Sequence, residues 1–300
     1  MKKTIIAFVV VVVLVVVGVF YFTRNSSKEV VVNPNGNIST TTNNLATTTI
    51  STDKTISVIG KSVEGRDIIA YHYGAGVTEV LFVGGIHGGY EWNTVLLAYQ
   101  LMDSLKANPN TVPTNVKVTV VPVLNPDGLN RVVGTSTRFA LSDISNSENV
   151  ITSGRFNGNN VDLNRNFDCD WQAIGEWQSK TVSGGSAAFS EPESQAIKNY
   201  IETSKPKAVV VFYSAAGGIF SSSCHNGVLP ETNNLTNAYA KASGYPAFET
   251  FDFYATTGDM TNWLAKISIP SISVLLTNHT NVEWTKNFAG IQAVLKYYSK

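Results

Sequence analysis

An imidazole and a carboxylate four residues apart are the first groups in this chain able to do chemistry. They are His87 and Glu91, in the phrase Gly84-Gly85-Ile86-His87-Gly88-Gly89-Tyr90-Glu91. Both group types bind zinc directly, and that separation can put them on one side of a helical turn. A second concentration of polar chemistry runs from Arg155 to Phe167, reading R-F-N-G-N-N-V-D-L-N-R-N-F. Guanidinium groups grip carboxylates through two parallel charge-assisted hydrogen bonds, a geometry lysine cannot copy. Taken alone, that stretch reads equally as a polar loop with solvated arginines. Asn125-Pro126-Asp127-Gly128 is a turn signature and is read as architectural. Further on, Tyr254 precedes Thr261, Asn262 and Trp263 in Y-A-T-T-G-D-M-T-N-W.

The elements that must position these residues are legible from periodicity. Short β-branched runs at 55–59, 68–73, 80–83, 116–121, 207–213 and 271–276 read as strands. The run at 207–213 is apolar enough to be buried on both faces. Apolar residues at helical spacing mark 95–105, 196–201, 259–265 and 288–298. Ser190 or Glu191, followed by Pro192, reads as a helix start. Strands alternating with helices in this way predict an α/β sandwich around one largely buried sheet.

Lysine plus arginine and aspartate plus glutamate number 22 each. That balance leaves no electrostatic footprint for DNA or RNA. Lys2 and Lys3 precede an unbroken apolar run from Ile5 to Phe22, which as a helix spans about 27 Å, close to a bilayer core. No small-residue cleavage site follows, so residues 1–24 read as a transmembrane signal anchor, with a cleaved export signal as the alternative. The paired lysines place the N-terminus in the cytoplasm and the remainder of the chain on the extracytoplasmic side. Of residues 25–53, seventeen are Ser, Thr or Asn, the composition of a disordered stalk. Residues 54–300 form the domain. Two cysteines, Cys169 and Cys224, read as a disulfide outside the cytosol, or as buried free thiols.

Taken in order, the three motifs at 84–94, 125–128 and 155–167 resemble the carboxypeptidase A-like zinc carboxypeptidases, from about Lys54 to the C-terminus. The resemblance implies a three-layer sandwich with a mixed sheet of about eight strands, helices on both faces, and the site at the strand ends. It implies zinc held by His87, Glu91 and a second histidine. Asn164 and Arg165 would hold the free C-terminal carboxylate of a peptide. Arg155 would polarise the scissile carbonyl and stabilise the oxyanion, and Asp162 would be a buried structural acid. Tyr254 would be a mobile cap over the substrate, with the uncharged Thr261 and Asn262 lining the pocket for the terminal side chain.

Three departures bear on activity. The family writes its first metal pair as H-x-x-E, and this chain has one residue more between His87 and Glu91. The second histidine belongs at the end of a buried strand, where this chain reads Phe212-Tyr213-Ser214. The general-base glutamate belongs where Leu275 stands, and no acid occurs between Met260 and Val282. His225 and His279 fall near these breaks and could complete a rearranged metal site. Three functions are therefore open: a domain that grips peptide C-termini with hydrolysis lost or strongly reduced, an active metallocarboxypeptidase with altered ligands that trims peptides or cell-wall stem peptides, and a structural surface module.

Overall fold

A computed structural model describes residues 55–300; the anchor and stalk read in residues 1–53, and the boundaries drawn there, lie outside the described residues. No helix among the described residues is long and apolar enough to cross a membrane. Ten strands occur in chain order: β1 (Ile56–Lys61), β2 (Asp67–Tyr73), β3 (Thr78–Val83), β4 (Val116–Val121), β5 (Ile174–Trp177), β6 (Lys180–Ser183), β7 (Ala208–Ser214), β8 (Gly218–Ser221), β9 (Ala247–Phe248) and β10 (Ser271–Leu276). Among the described residues, seven α-helices alternate with them: α1 (Trp92–Ala107), α2 (Pro126–Val133), α3 (Glu148–Ser153), α4 (Pro192–Ser204), α5 (Pro230–Ser243), α6 (Met260–Lys266) and α7 (Trp284–Tyr297).

Eight strands join in one sheet in the order β1-β2-β4-β3-β7-β10-β8-β9. β3 runs parallel to β4 and β7, and β7 runs parallel to β10. β1, β2 and β8 join antiparallel, so the sheet is mixed, as the family resemblance implied. Every residue of β7 is buried, and its alternating side chains serve two layers. Val210 and Phe212 join the core with Leu97 and Leu101 of α1, Tyr239 of α5 and Ile291 of α7. Val209, Val211 and Tyr213 join the opposite core with Ile197 and Ile201 of α4 and Leu264 of α6. A strand buried on both faces must be apolar throughout, which is why the sequence there is continuous rather than alternating.

The phrase Asn125-Pro126-Asp127-Gly128 is more than a turn. Asn125 caps α2, its Oδ1 accepting from Gly128 N at 2.8 Å, and Pro126 takes the first helical position. The carboxyl ends of the neighbouring strands β3, β7 and β10 all open on the same edge of the sheet, where open α/β sheets bind ligands.

Candidate functional site

β3 does not stop at Val83; Gly84 N still donates to Val121 O at 2.8 Å, and Asn125 N donates to Gly85 O at 2.9 Å. That pairing delivers His87 to the sheet edge. Gly88 to Glu91 then form one tight helical turn leading into α1. Gly88 sits at φ +46, and a Cβ there would lie 2.6 Å from the Gly154 carbonyl oxygen. Only glycine fits such a position, and this turn absorbs the additional residue. Glu91 consequently stays beside His87, its Oε1 2.9 Å from Nδ1. On the other side of the ring, Nε2 lies 3.3 Å from Asp162 Oδ1. Neither contact is a well-aligned hydrogen bond, so both ring nitrogens and Glu91 Oε2 are buried without a hydrogen-bond partner.

Asp162 is the electrostatic centre beneath this pair. Its Oδ2 accepts from Arg155 Nε at 2.9 Å and from Nη2 at 2.8 Å. Burial acts to raise the Asp162 carboxyl, but the Arg155 guanidinium and His87 hold it far below the usual carboxylate range. Arg155 is only 2% exposed. Its guanidinium lies 4.4 Å from the Trp177 ring centre, and its Nη1 stands 4.0 Å from Glu91 Oε1. Arg155 is thus held under an aromatic cover and does not line the cavity described next.

A cavity of about 390 Å³ opens at the ends of β7 and β10, lined by His87, Glu91, Asn164, Arg165, Tyr254 and Leu275 among others. Thr261, Asn262 and Tyr213 also face it. Arg165 commits three of its five N–H donors: Nε and Nη2 to Glu176 O, at 3.0 and 2.6 Å, and Nη1 to Asn164 O at 2.6 Å. The Tyr254 ring lies 5.7 Å from the Arg165 guanidinium carbon, where a capping tyrosine was expected. The Asn164 side chain has three of its four hydrogen-bonding positions engaged. Its Oδ1 accepts from Tyr213 OH at 3.0 Å and from Met260 N at 3.1 Å, and its Nδ2 donates to Asp259 Oδ2 at 2.8 Å.

Tyr213 and Leu275 are direct neighbours across the parallel pair β7 and β10. Burial first, then the charges of Asp259 and Glu91, push the Tyr213 phenol well above its ordinary value. The two histidines that could compensate both stand near the site, His225 lining the cavity and His279 feeling the charges of Glu91 and His87, but neither joins that pair in a converging donor set among the described residues. His225 is exposed and pairs with Asp170 at 3.1 Å. His279 stacks on Tyr90 with ring centres 4.7 Å apart, and its Nδ1 lies 2.9 Å from Ser214 Oγ.

A family model for zinc carboxypeptidases matches residues 40–288. The chain belongs to the zinc carboxypeptidase family. Gamma-D-glutamyl-L-diamino acid endopeptidase 1 of Lysinibacillus sphaericus is 26% identical over 246 residues, 74% of this chain and 60% of that protein. Carboxypeptidase O of Bos taurus is 30% identical over 172 residues, 52% of this chain and 44% of that protein. This zinc carboxypeptidase-family chain thus spans less than two thirds of either relative's length. Among solved structures, murein-tripeptide amidase MpaA from Escherichia coli O157 superposes with a TM-score of 0.57 at 22% identity, covering 80% of this chain and 90% of that one. Carboxypeptidase A from Helicoverpa armigera gives 0.62 at 22%, covering 82% and 68%. These two share the fold.

The family implies zinc, and the donors present can be tested against it. A catalytic zinc site uses three protein ligands and an open position. Here one imidazole and one carboxylate converge, and Asp162 stands behind the imidazole as an orienting acid would. The third position holds a phenol that burial keeps protonated and that donates to Asn164. Among the described residues, the trio of His, Cys or acidic donors that does converge is Cys169, Cys224 and His225. Its two sulfurs are joined in a disulfide. The donor set therefore falls one ligand short of a zinc carboxypeptidase centre.

The cavity wall holds one feature expected from sequence, the disulfide, and one that sequence reading did not single out, Asp259. The Cys169–Cys224 bridge forms part of its wall, tying the segment after Phe167 to the loop after β8. Asp259 also lines it, accepting from Thr261 Oγ1 at 2.7 Å, Asn262 N at 2.9 Å and Asn164 Nδ2, all neutral donors. Among the described residues no cation pairs with Asp259, so the pocket of Thr261 and Asn262 carries a negative charge after all. The signal was its place directly before α6, which reads just as well as a helix cap.

Proposed function

We propose that this domain grips the free C-terminal carboxylate of peptides and does not hydrolyse them efficiently. The observation that carries this reading is the pairing at one cavity of a partly uncommitted Arg165 with Tyr213 and Leu275, a phenol and an alkyl chain where a ligand and a base would be needed. The Asp259 carboxylate, which caps α6 and has no ion-pair partner among the described residues, favours a terminal residue that bears an amine. The Lysinibacillus relative is named for a diamino acid and the Escherichia coli amidase for a murein tripeptide, and both support cell-wall stem peptides as the ligand class.

Calorimetric titration of short peptides tests this directly. Arg165→Ala should weaken binding of free-acid peptides about 10- to 100-fold, the worth of a charge-assisted pair. Amidated peptides should bind the unmodified domain as poorly. Equal affinity for acid and amide forms would remove the carboxylate-grip reading.

A second reading is favoured by the buried, unpartnered nitrogens of His87 and the free Oε2 of Glu91: a metal in a rearranged site, with peptide hydrolysis retained. Elemental analysis decides between them. About one zinc per chain surviving dialysis would select the second reading. We further propose that residues 1–24 anchor the chain in a membrane with the domain on the extracytoplasmic side, supported by the length of the apolar run. Release of the full-length chain from membranes by alkaline carbonate would overturn the anchor.

A further inference from the structure

The β5–β6 hairpin stands apart from the main sheet as a separate two-stranded unit. Such a pair has little stability of its own in water, so what holds it down matters. Its base is tied by Asp162 N donating to Ser183 O at 3.0 Å and Gly184 N donating to Ala173 O at 2.9 Å. Its first strand is otherwise open, with Ile174 66% exposed, yet Trp177 at the end of that strand is 4% exposed. The indole meets Tyr90 edge-on at 5.0 Å and Phe156 at 6.4 Å, and it covers the Arg155 guanidinium. The preceding residue supplies the carbonyl that occupies Arg165. Two consecutive hairpin residues therefore engage both arginines.

This arrangement has a direction. A carboxylate at Arg165 puts the terminal residue in the cavity beside His87 and Glu91. Just behind Glu91, outside the cavity lining, stands Arg155, its Nη1 4.0 Å from Glu91 Oε1, and on the carboxylate-grip reading a preceding residue that leaves the cavity past Glu91 meets it. The indole of Trp177 lies over that place. We propose that Trp177 is a specificity-determining gate, restricting the closed site to a single residue and requiring a longer peptide to lift the hairpin from Arg155. This rests on the carboxylate-grip reading and adds ligand length to it.

The test uses lysine and leucine as free amino acids, each alone and extended by two alanines on the N-terminal side, titrated into the full-length chain. The single residues should bind about tenfold more tightly than their extended forms. Trp177→Ala should erase that gap by strengthening binding of the extended ligands while leaving the single residues unchanged. Should the alanine variant fail to fold, Trp177→Phe, which keeps an apolar ring of smaller area, should narrow the gap. Extended ligands binding the unmodified domain as tightly as single residues, or a gap that survives the Trp177 substitutions, would overturn the gate alone. Binding of neither class to any variant would overturn the carboxylate reading and the gate with it.

Discussion

Changing Tyr213→His and Leu275→Glu together is expected to produce a domain that retains about one zinc per chain and hydrolyses C-terminal residues at least about 100-fold faster than the unmodified protein. The geometry makes the pair act jointly. The two residues are register partners on β7 and β10, and both line the cavity that His87 and Glu91 face. Removing the phenol also frees Asn164 Oδ1, which now accepts from Tyr213 OH. Tyr213→His alone should recruit the metal without appreciable turnover, because no base has been added. Leu275→Glu alone should do neither, and adds an acid beside Glu91 with no metal to balance it. Zinc content and release of a C-terminal residue from a short peptide read the two effects separately. A double variant that binds zinc yet stays silent would show that the cavity no longer admits a scissile bond.

The second large effect lies beneath the cavity. Arg155→Met should destabilise the domain by about 3–5 kcal/mol, the cost of leaving a buried charge unpaired. For a domain of this size that corresponds to a fall in melting temperature of roughly 6–20 °C. Asp162 is the charge stranded, since Arg155 supplies both of its closest cationic hydrogen bonds. Replacing both partners, Arg155→Met with Asp162→Asn, should recover part of the loss. The pH dependence has a definite sign. A carboxyl held far below its usual range contributes stability that is fully present above the unfolded value near 4 and is lost as pH falls below it. The unmodified protein should therefore lose that contribution only in acid, whereas Arg155→Met lacks it already at neutral pH. Urea unfolding at pH 7 and near pH 3 should show the gap between the two proteins beginning to narrow, since the contribution is fully lost only as pH falls through the folded value.

The sheet was readable because burial on both faces demands the near-continuous apolar run that β7 carries, while β4 and β10 alternate apolar with polar residues over short β-branched segments. His87, Glu91, Asn164 and Arg165 were readable because each sits in a motif whose glycines or asparagines are fixed by local backbone geometry. What long-range packing decides was not. Nothing in the sequence marks Asn164 as spent on Tyr213, Met260 and Asp259, residues at least 49 positions away. The β5–β6 hairpin escaped notice because four-residue strands with one buried side in contact leave almost no alternation to detect. Trp177 looks like any loop tryptophan until Arg155, Tyr90 and Phe156 arrive beneath it.

The Cys169–Cys224 bridge closes a loop across 55 positions of sequence and walls the ligand cavity at the same time. The shape of the cavity wall is thereby tied to the redox state of two sulfurs. A reductant that opened the bridge would leave the segment after Phe167 and the loop after β8 to keep their places at the cavity by packing and hydrogen bonds alone.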